Sequence, residues 1–360
     1  MNTPSHRSLV YLGWLGHQNF GDDLLHATWQ RALDRPLDCI APLHRRDYAR
    51  SPLKFLAQRF RMRGSERLVL LGGGTTIGFD SWAYHLGTAA RAFGAAGAVV
   101  PGAGAAESTD AHALGLQRTN WPAWRALTRT ALLGVRGPLT AAECAQHWRP
   151  TEVLGDPALL YPLLMEPRPR PLRRTTIGVC VGSDPTSRFD PAVVARAVES
   201  FAAERGLESV TVFRLSPDDR DAVDALVDQF SLPVRTVAYT GDIDTVMREI
   251  GACSAFVSER LHGAVASVAL GVPTVPLSYA SKCDDFWLSV TGSRSPVTVG
   301  HSEDELLQAM RAASADASIL AVRSRVVELQ EKLQRSVALL RNWLAGDLDT
   351  SKLMNDEVRP

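Results

Sequence analysis

Short apolar segments alternate with helical patterns along almost the whole chain. In the second half, each of five such segments precedes a stretch with helical spacing: "TIGVCVG", "SVTVFRLS", "RTVAY", "AFVSE" and "TVPLS". Strands that are apolar on both faces, alternating with helices, predict parallel sheets covered by helices. The first half repeats the order with "LVYLGWLG", "RLVLLGGGT", "AVVPGAG" and "ALLGVRG". We therefore predict an α/β protein with two Rossmann-like parallel-sheet domains facing across a cleft.

The domain boundaries follow from one proline- and arginine-rich stretch, "MEPRPRPLRRTT". Such a stretch continues neither a strand nor a helix, so we interpret residues 163–175 as a linker. The predicted parts are an N-terminal domain with glycine-rich loops (1–165), a second domain (166–315), a C-terminal helix (316–345) and a polar, frayed tail (346–360). Apolar residues three and four apart in 319–344 indicate the helix. Packing on its own protein is a simpler role for this helix than a coiled coil.

Charge and cysteine content limit the classes of partner. Lys plus Arg and Asp plus Glu number 39 each, so the overall charge favours neither nucleic acid nor an anionic membrane. Five scattered cysteines without a CxxC pair predict no disulfide framework and no metal site. No apolar run reaches the roughly 18–20 residues that span a bilayer. We expect a cytoplasmic protein, with peripheral contact at the inner face of the membrane left open.

Three glycine-containing loops follow predicted strands: "GHQNFGDDLL", "LGGGTTIG" and "PGAG". Exposed backbone amides at such positions can bind an anion or a sugar hydroxyl. The first loop is equally well explained as a turn with an Asn or Asp helix cap. The second is not a P-loop, because no Gly-Lys-Ser/Thr follows. The candidate cleft residues from these loops are Asn19, Gly21, Gly72, Gly73, Gly74, Gly102 and Gly104.

Four basic residues also follow predicted strands: Arg136, Arg260, His262 and Lys282. Ser258 precedes two of them in "SERLHG" and joins the candidate cleft residues. In doubly wound sheets, ligands bind at the carboxyl ends of the strands, where helix N-termini favour anions. A single arginine or histidine would more often be structural. Four basic groups at equivalent positions favour a functional anion site.

These motifs resemble the polysaccharide pyruvyl transferase family through nearly the whole chain. "NFGDDLL" is similar to its N-x-G-D loop, and "LGGGT" and "PGAG" to its glycine-rich strand ends. "GVRGPLT" is similar to its arginine–helix motif and "VLGDPALL" to its D-P-A-L segment, while "SERLHG" followed by "VPTVPLSYASK" is the most specific portion. Residues 105–130 and those beyond 344 match none of its patterns. The resemblance implies a GT-B fold and a donor site of Arg136, His262 and Lys282, with Arg260 close by.

The resemblance also implies transfer of a pyruvyl group from phosphoenolpyruvate to a sugar, as a ketal. Phosphoenolpyruvate would be a co-substrate, and no cofactor is expected. The acceptor would be a sugar of a cell-surface polysaccharide or a lipid-linked oligosaccharide precursor. Two proton transfers are needed, and His262 is the leading candidate because the pKa of an unperturbed imidazole is about 6.5. Asp22 and Arg260 complete the predicted catalytic set, and Glu259 and Asp156 are weaker candidates for proton transfer.

Two alternatives remain open. One is a nucleotide-sugar glycosyltransferase of the same fold, because fold alone does not separate the two activities. Glycosyltransferases of this fold commonly pair acidic residues around the sugar and the ribose, whereas the cluster in this sequence is basic. A basic cluster suits a compact anion better. The other alternative is a non-catalytic sugar-binding protein that has kept the cleft.

Overall fold

The computed structural model describes residues 7–37, 39–43, 45–50, 52–166, 174–183 and 189–355. The described residues form two compact units. Unit 1 lies within Met1–Trp14, Leu25–Pro157 and Leu329–Pro360, and unit 2 within Leu15–Leu24 and Ala158–Glu328. Each unit is built on a parallel β-sheet, so the predicted pair of parallel-sheet α/β domains is confirmed.

The regular elements follow the predicted alternation. Up to residue 147 they are β1 (Arg7–Leu12), α1 (Phe20–Leu33), α2 (Arg45–Arg50), α3 (Pro52–Arg61), β2 (Glu66–Leu71), β3 (Thr75–Ile77), α4 (Asp80–Phe93), β4 (Gly97–Ala105), α5 (Ala111–Leu116), α6 (Trp121–Arg125), β5 (Thr130–Val135) and α7 (Pro138–His147).

After a 3₁₀ helix at Pro157–Leu163, the pattern resumes. The later elements are β6 (Thr176–Cys180), α8 (Pro191–Arg205), β7 (Ser209–Arg214), a 3₁₀ turn (Pro217–Asp219), α9 (Arg220–Val227), β8 (Val234–Ala238), α10 (Ile243–Gly251), β9 (Ala255–Ser258), α11 (Leu261–Ala269), β10 (Thr274–Ser278), α12 (Ser281–Thr291), β11 (Val297–Thr298), α13 (Glu303–Ala313), α14 (Asp316–Ala345) and α15 (Thr350–Met354).

The sheet of unit 1 runs β1–β2–β4, and both β3 and β5 pair with β4. Strand β4 is buried at every residue, as its uninterrupted run of small and apolar side chains predicts. The helices of the unit cover it with an apolar core that includes Phe93 and Trp124. Strand ends therefore carry the polar and glycine-containing segments of this unit.

The sheet of unit 2 has the order β11–β10–β9–β6–β7–β8. The chain runs outward from β6 through β7 to β8, and then returns to β9 on the other side of β6. This reversal is a topological switch point, where the crossover connections diverge and leave a crevice at the carboxyl ends of the strands. The crevice of unit 2 therefore lies beyond the ends of β6 and β9.

The unit boundaries differ from the predicted domain boundaries at two places. Residues 15–24, predicted in the first domain, belong to unit 2 because the backbone N–H of Phe20 donates to the carbonyl of Leu215 (2.9 Å). The division at Pro157 also precedes the predicted boundary of 165/166. Much of the predicted linker, residues 167–173, lies outside the described residues.

The C-terminal helix is present as α14, and its residues are divided between the units at Glu328. The segment after it was predicted as a frayed tail, but it forms α15. The segment is mostly polar, but its side chain Leu353 is fully buried and anchors it. The indole N–H of Trp343 also donates to Thr350 Oγ1 (2.8 Å). The last residues, 356–360, lie outside the described part of the chain.

Among the described helices, none combines the length and apolarity required to cross a membrane.

Candidate functional site

The segment "SERLHG" forms the turn between β9 and α11, at the switch point of unit 2. Ser258 ends the strand, and its hydroxyl donates to the carbonyl of Arg260 (2.8 Å). Gly263 permits this turn, because a Cβ at that position would lie 2.4 Å from Ser258 Oγ. The turn places Arg260 immediately before α11 and His262 in its first turn, where helix amides favour an anion.

Arg260 is held by an ion pair that the sequence analysis did not anticipate. Its Nε donates to both carboxylate oxygens of Asp219 (3.1 Å each), and its Nη2 also contacts Oδ1. Burial disfavours the charge, but the hydrogen bonds and charge of Asp219 raise the pKa of Arg260 above its usual value. Asp219 is fully buried, whereas the Arg260 side chain keeps 27% exposure. The guanidinium is therefore anchored on one side and open on another.

Asp219 is positioned by its own turn after β7. Its carboxylate also accepts the backbone N–H of Ser216 (3.1 Å), and the two residues form a capping box. The S-x-x-D spacing in "SPDD" was the available sequence signal for this cap. That spacing did not indicate that the carboxylate would also bind Arg260, which follows β9, two strands away from β7 in the sheet.

Lys282 lies in the first turn of α12, after β10. Its Nζ is 4.7 Å from the centroid of the Tyr279 ring. Burial disfavours the ammonium charge, but interactions with Tyr279 and Cys283 raise the pKa of Lys282. Lys282 lies at the N-terminal end of α12, which follows β10, the neighbour of β9 in the sheet.

Asp22 belongs to the same cluster, although it comes from the far N-terminal part of the chain. Burial raises its pKa to about 7, as does the charge of Asp23, while Lys282 and Arg260 act in the opposite direction. This electrostatic influence places Asp22 within range of both basic groups. A carboxyl with a pKa of about 7 exchanges its proton near neutral pH.

The first turn of α1 carries Asp22 to this position. Asn19 caps the turn, since its Oδ1 accepts the backbone N–H of Gly21 (2.9 Å). The hydroxyl of Tyr239 donates to Asp23 (2.7 Å), which anchors the turn to the end of β8. Asn19 therefore has the capping role considered in the sequence analysis.

Gly21 lies directly against the imidazole of His262. A Cβ at residue 21 would be 2.1 Å from Nδ1 and 2.6 Å from Cγ of the ring. No side chain fits between them, so glycine allows the backbone to approach the histidine. Because Gly21 directly precedes Asp22, this contact places the His262 ring next to the chain segment that carries Asp22.

The other two carboxylates considered for proton transfer are placed differently. Glu259 is 3% exposed, and its Oε2 accepts the backbone N–H of Gly182 (2.7 Å). The backbone N–H of Glu259 donates to the carbonyl of Cys180 (2.8 Å), so Glu259 links the end of β9 to the end of β6. Asp156 is fully buried and belongs to unit 1.

Arg136 lies in unit 1, at the end of β5, and is fully buried. Its Nη1 donates to Thr75 Oγ1 (3.2 Å), and its guanidinium packs on Gly104, where a Cβ would be 2.4 Å from Nη2. Arg136 is therefore not a surface arginine. Its contact with a donor stays a prediction.

The predicted glycines of unit 1 are explained first by packing and backbone conformation. A Cβ at Gly72 would be 2.1 Å from the hydroxyl oxygen of Tyr11, and the carbonyl of Gly72 accepts the indole N–H of Trp29 (2.8 Å). Gly102 has a φ of 78°, which favours glycine, and Gly73 and Gly74 also have positive φ. These positions require glycine whether or not they contact a ligand.

Comparison with known proteins decides the family. A model of the polysaccharide pyruvyl transferase family matches residues 19–281, which include Asn19, Asp22, Arg260 and His262 and end one residue before Lys282. The chain belongs to this family. It is thus a transferase of polysaccharide biosynthesis, and the resemblance inferred from the motifs is confirmed. No curated protein matches the sequence significantly.

Solved structures show which fold this pyruvyl transferase family member has. MnaA of S. aureus with UDP has a TM-score of 0.62 at 11% identity, covering 99% of each chain. UDP-GlcNAc 2-epimerase from Methanocaldococcus jannaschii scores 0.54 at 7% identity, covering 86% of this chain and 93% of its own. The enzyme of that name from Neisseria meningitidis, bound to UDP-GlcNAc, scores 0.51 at 10%, covering 97% and 98%. The likeness shows the GT-B type of fold.

The contact between Gly21 and His262 gives a direct prediction for this transferase. If His262 takes part in the reaction, Gly21→Ala should lower kcat by about 10²-fold, because the new methyl group must displace the imidazole and a displacement of about 1 Å has an effect of that size. Gly115→Ala is the matched control, because a Cβ there meets no atom within 4 Å. Steady-state kinetics and thermal unfolding of both variants test this. Wild-type activity in Gly21→Ala would show that the position of the ring is unimportant.

Proposed function

We propose that the protein transfers a pyruvyl group from phosphoenolpyruvate to two hydroxyls of one sugar, forming a pyruvyl ketal on a cell-surface polysaccharide or its lipid-linked precursor. The observation that carries the proposal is the cluster in unit 2. Asp22 is subject to the charges of Lys282 and Arg260, and Gly21 touches His262. Membership of the polysaccharide pyruvyl transferase family supports the same reaction class.

The donor would bind through its negative charges. A phosphate monoester carries about −1.5 to −2 at neutral pH, and the carboxylate adds another negative charge. Lys282 supplies one cation and Arg260 a second, and α11 and α12 begin beside them. Because Asp219 already fixes the guanidinium, Arg260 loses little side-chain freedom when it binds an anion. These groups form a preorganised anion site in a protein without net charge.

The chemistry would then proceed by two additions at one carbon. A proton is delivered to the methylene carbon, which becomes a methyl group, while the first sugar hydroxyl adds to C2 and loses its proton. The C2–O bond to phosphate breaks, and phosphate leaves with the bond's electron pair. The second hydroxyl adds to C2 and gives up its proton, which ends on phosphate or buffer. The products are one ketal and one inorganic phosphate.

Asp22 and His262 suit the two proton transfers. Because burial raises the pKa of Asp22 to about 7, a sizeable fraction is protonated at neutral pH and can donate to the methylene. His262 with a neutral ring would accept the proton of the acceptor hydroxyl. The roles extend the sequence prediction, in which His262 was the leading candidate for proton transfer, by assigning the acid to Asp22.

The test follows isotopes through the reaction. Purified protein is incubated with phosphoenolpyruvate that carries ¹⁸O in the bridging position, together with a panel of sugar diols. Ketal formation breaks the C–O bond, so the label should leave in the phosphate, whereas a contaminating phosphatase breaks the P–O bond and leaves it in pyruvate. In D₂O the ketal methyl group should gain one deuterium. Acceptor-independent release, or label retained in pyruvate, would refute the proposal.

The glycosyltransferase alternative is tested in parallel. UDP-sugars replace phosphoenolpyruvate in the same acceptor panel, and release of UDP is measured. UDP release with a glycosylated product, together with no ketal, would favour that activity over pyruvyl transfer.

Lys282 provides the cleanest test of donor binding. Lys282→Met should weaken phosphoenolpyruvate binding about 10- to 150-fold, because a hydrogen bond to a charged group contributes roughly 1.5–3 kcal/mol. Arg260→Ala is less informative, since it would also leave the buried Asp219 unpaired. Lys352→Met, at an exposed position of α15, is the matched control. Calorimetry giving the same dissociation constant for Lys282→Met and wild type would exclude Lys282 as a donor ligand.

A further inference from the structure

Helix α3 presents a strip of large apolar side chains to solvent. Leu53, Leu56 and Phe60 are 80%, 56% and 72% exposed. With 3.6 residues per turn, the three positions fall on one side of the helix. The other side faces the core of unit 1, where Phe55 packs against Phe93 with ring centroids 5.2 Å apart. Burial within the unit therefore does not explain the outer strip, and a contiguous exposed apolar strip is typical of an interaction surface.

The sequence around this strip is strongly basic. Residues 45–64 contain seven Lys or Arg and a single acidic residue, Asp47, although the whole chain has no net charge. Described basic side chains that are exposed here are Arg46, Arg50, Arg59, Arg61 and Arg63. By helical spacing, Arg59 and Arg61 lie on opposite flanks of the strip. The surface thus combines an apolar centre with positive edges.

We propose that α3 docks the protein onto an anionic lipid surface. The helix would lie in the interface, with Leu53, Leu56 and Phe60 among the upper acyl chains. Arg59 and Arg61 would reach outward to lipid phosphates, as long basic side chains do beside an apolar face. A second copy of α3 is a poorer occupant, because facing strips would bring their arginines together. The inference does not rest on pyruvyl transfer, since α3 belongs to unit 1 and contributes nothing to the cluster in unit 2.

The experiment uses the full chain and vesicles in a co-sedimentation assay. One vesicle type is phosphatidylcholine, and the other contains equal parts of phosphatidylcholine and phosphatidylglycerol. We expect binding to the anionic vesicles, weakening as salt screens the phosphates. Arg59→Gln with Arg61→Gln should reduce the partition coefficient about 20- to 30-fold, from roughly fivefold per basic residue at such a surface. Leu56→Gln with Phe60→Gln should reduce it at least about tenfold.

Matched controls change the same residue types elsewhere. Leu320 on α14 is 65% exposed, so Leu320→Gln removes an equally exposed apolar side chain. Arg335→Gln with Arg341→Gln removes two exposed arginines from the same helix. Both controls should bind vesicles like wild type, and thermal unfolding should confirm that every variant folds.

Four results would overturn the proposal. The wild type could fail to bind anionic vesicles, or the α3 variants could bind them as well as the controls do. The third is self-association of the wild type that Leu56→Gln with Phe60→Gln abolishes, without vesicle binding, which would identify a second copy as the occupant. Binding to both vesicle types with no effect of the arginine pair would likewise remove the electrostatic part of the argument.

Discussion

Replacing His262 by glutamine is expected to slow turnover by about 10²–10⁴-fold while donor binding changes far less. Glutamine keeps hydrogen-bonding capacity but cannot accept and release a proton near neutral pH. The imidazole lies at the first turn of α11, beside Gly21, so its loss removes the proposed base from the cluster and leaves Arg260 and Lys282 in place. Single-turnover kinetics with saturating donor and acceptor isolate the chemical step from binding.

The control for this variant is His301→Gln, a half-buried histidine of unit 2 that precedes α13 and contacts the carbonyl of Thr298 (3.2 Å). It should turn over like wild type. If the chemical step of His262→Gln stays within a few-fold of wild type, His262 is a ligand or a structural residue. Calorimetry with phosphoenolpyruvate then separates those two roles, because a ligand contributes to affinity.

Local patterns were sufficient to predict most of the fold. The strand Thr274–Ser278 has the predicted bounds, since an apolar run bounded by turn residues carries its own signal. The tail was mispredicted because a single buried leucine, Leu353, fixes α15 in a polar segment. Periodicity cannot detect one long-range contact.

The candidate site was predictable only in part, for the same physical reason. The carboxyl-end rule placed Arg260, His262 and Lys282 on neighbouring strands of a parallel sheet, and these strands do pair. The partner of Arg260 is Asp219, 41 residues away, and the glycine that contacts His262 comes from the first turn of α1, more than 200 residues earlier. Charge pairing and close packing at such separations depend on tertiary structure, so residue types alone did not predict them.

The position of Asp22 is the clearest case. In the sequence it is one of two adjacent aspartates at the start of a helix, where a carboxylate commonly serves the helix dipole. In the fold it is partly buried and lies near two cations, and burial outweighs them in setting its pKa. The sequence made Asp22 a catalytic candidate, and its environment in the fold accounts for the raised pKa.

Asp22→Asn is expected to lower kcat by about 10²–10⁴-fold and to change the pH dependence. The proposed acid form of Asp22 disappears as pH rises through about 7, so wild-type kcat should fall above that pH. Asparagine cannot donate a proton in this way, and the residual rate should be independent of pH over the same range. Profiles of kcat at saturating donor and acceptor measure the difference, with Asp224→Asn, an exposed position on α9, as control.

Stability provides a second measurement that does not depend on catalysis. Because the folded-state pKa of Asp22 is raised from 3.8 to about 7, the folded protein holds its proton more tightly than the unfolded chain. Its contribution to stability is therefore present at low pH and is lost as pH rises from about 4 to about 7.

Asp22→Asn should remove that loss of stability. The free energy of unfolding of the variant, measured relative to wild type, should therefore rise by roughly 2–4 kcal/mol between pH 4 and pH 8. Urea unfolding at both pH values gives the comparison. A stability difference that does not vary with pH would show that the carboxyl titrates normally, and the proton donor to the methylene would then have to be His262.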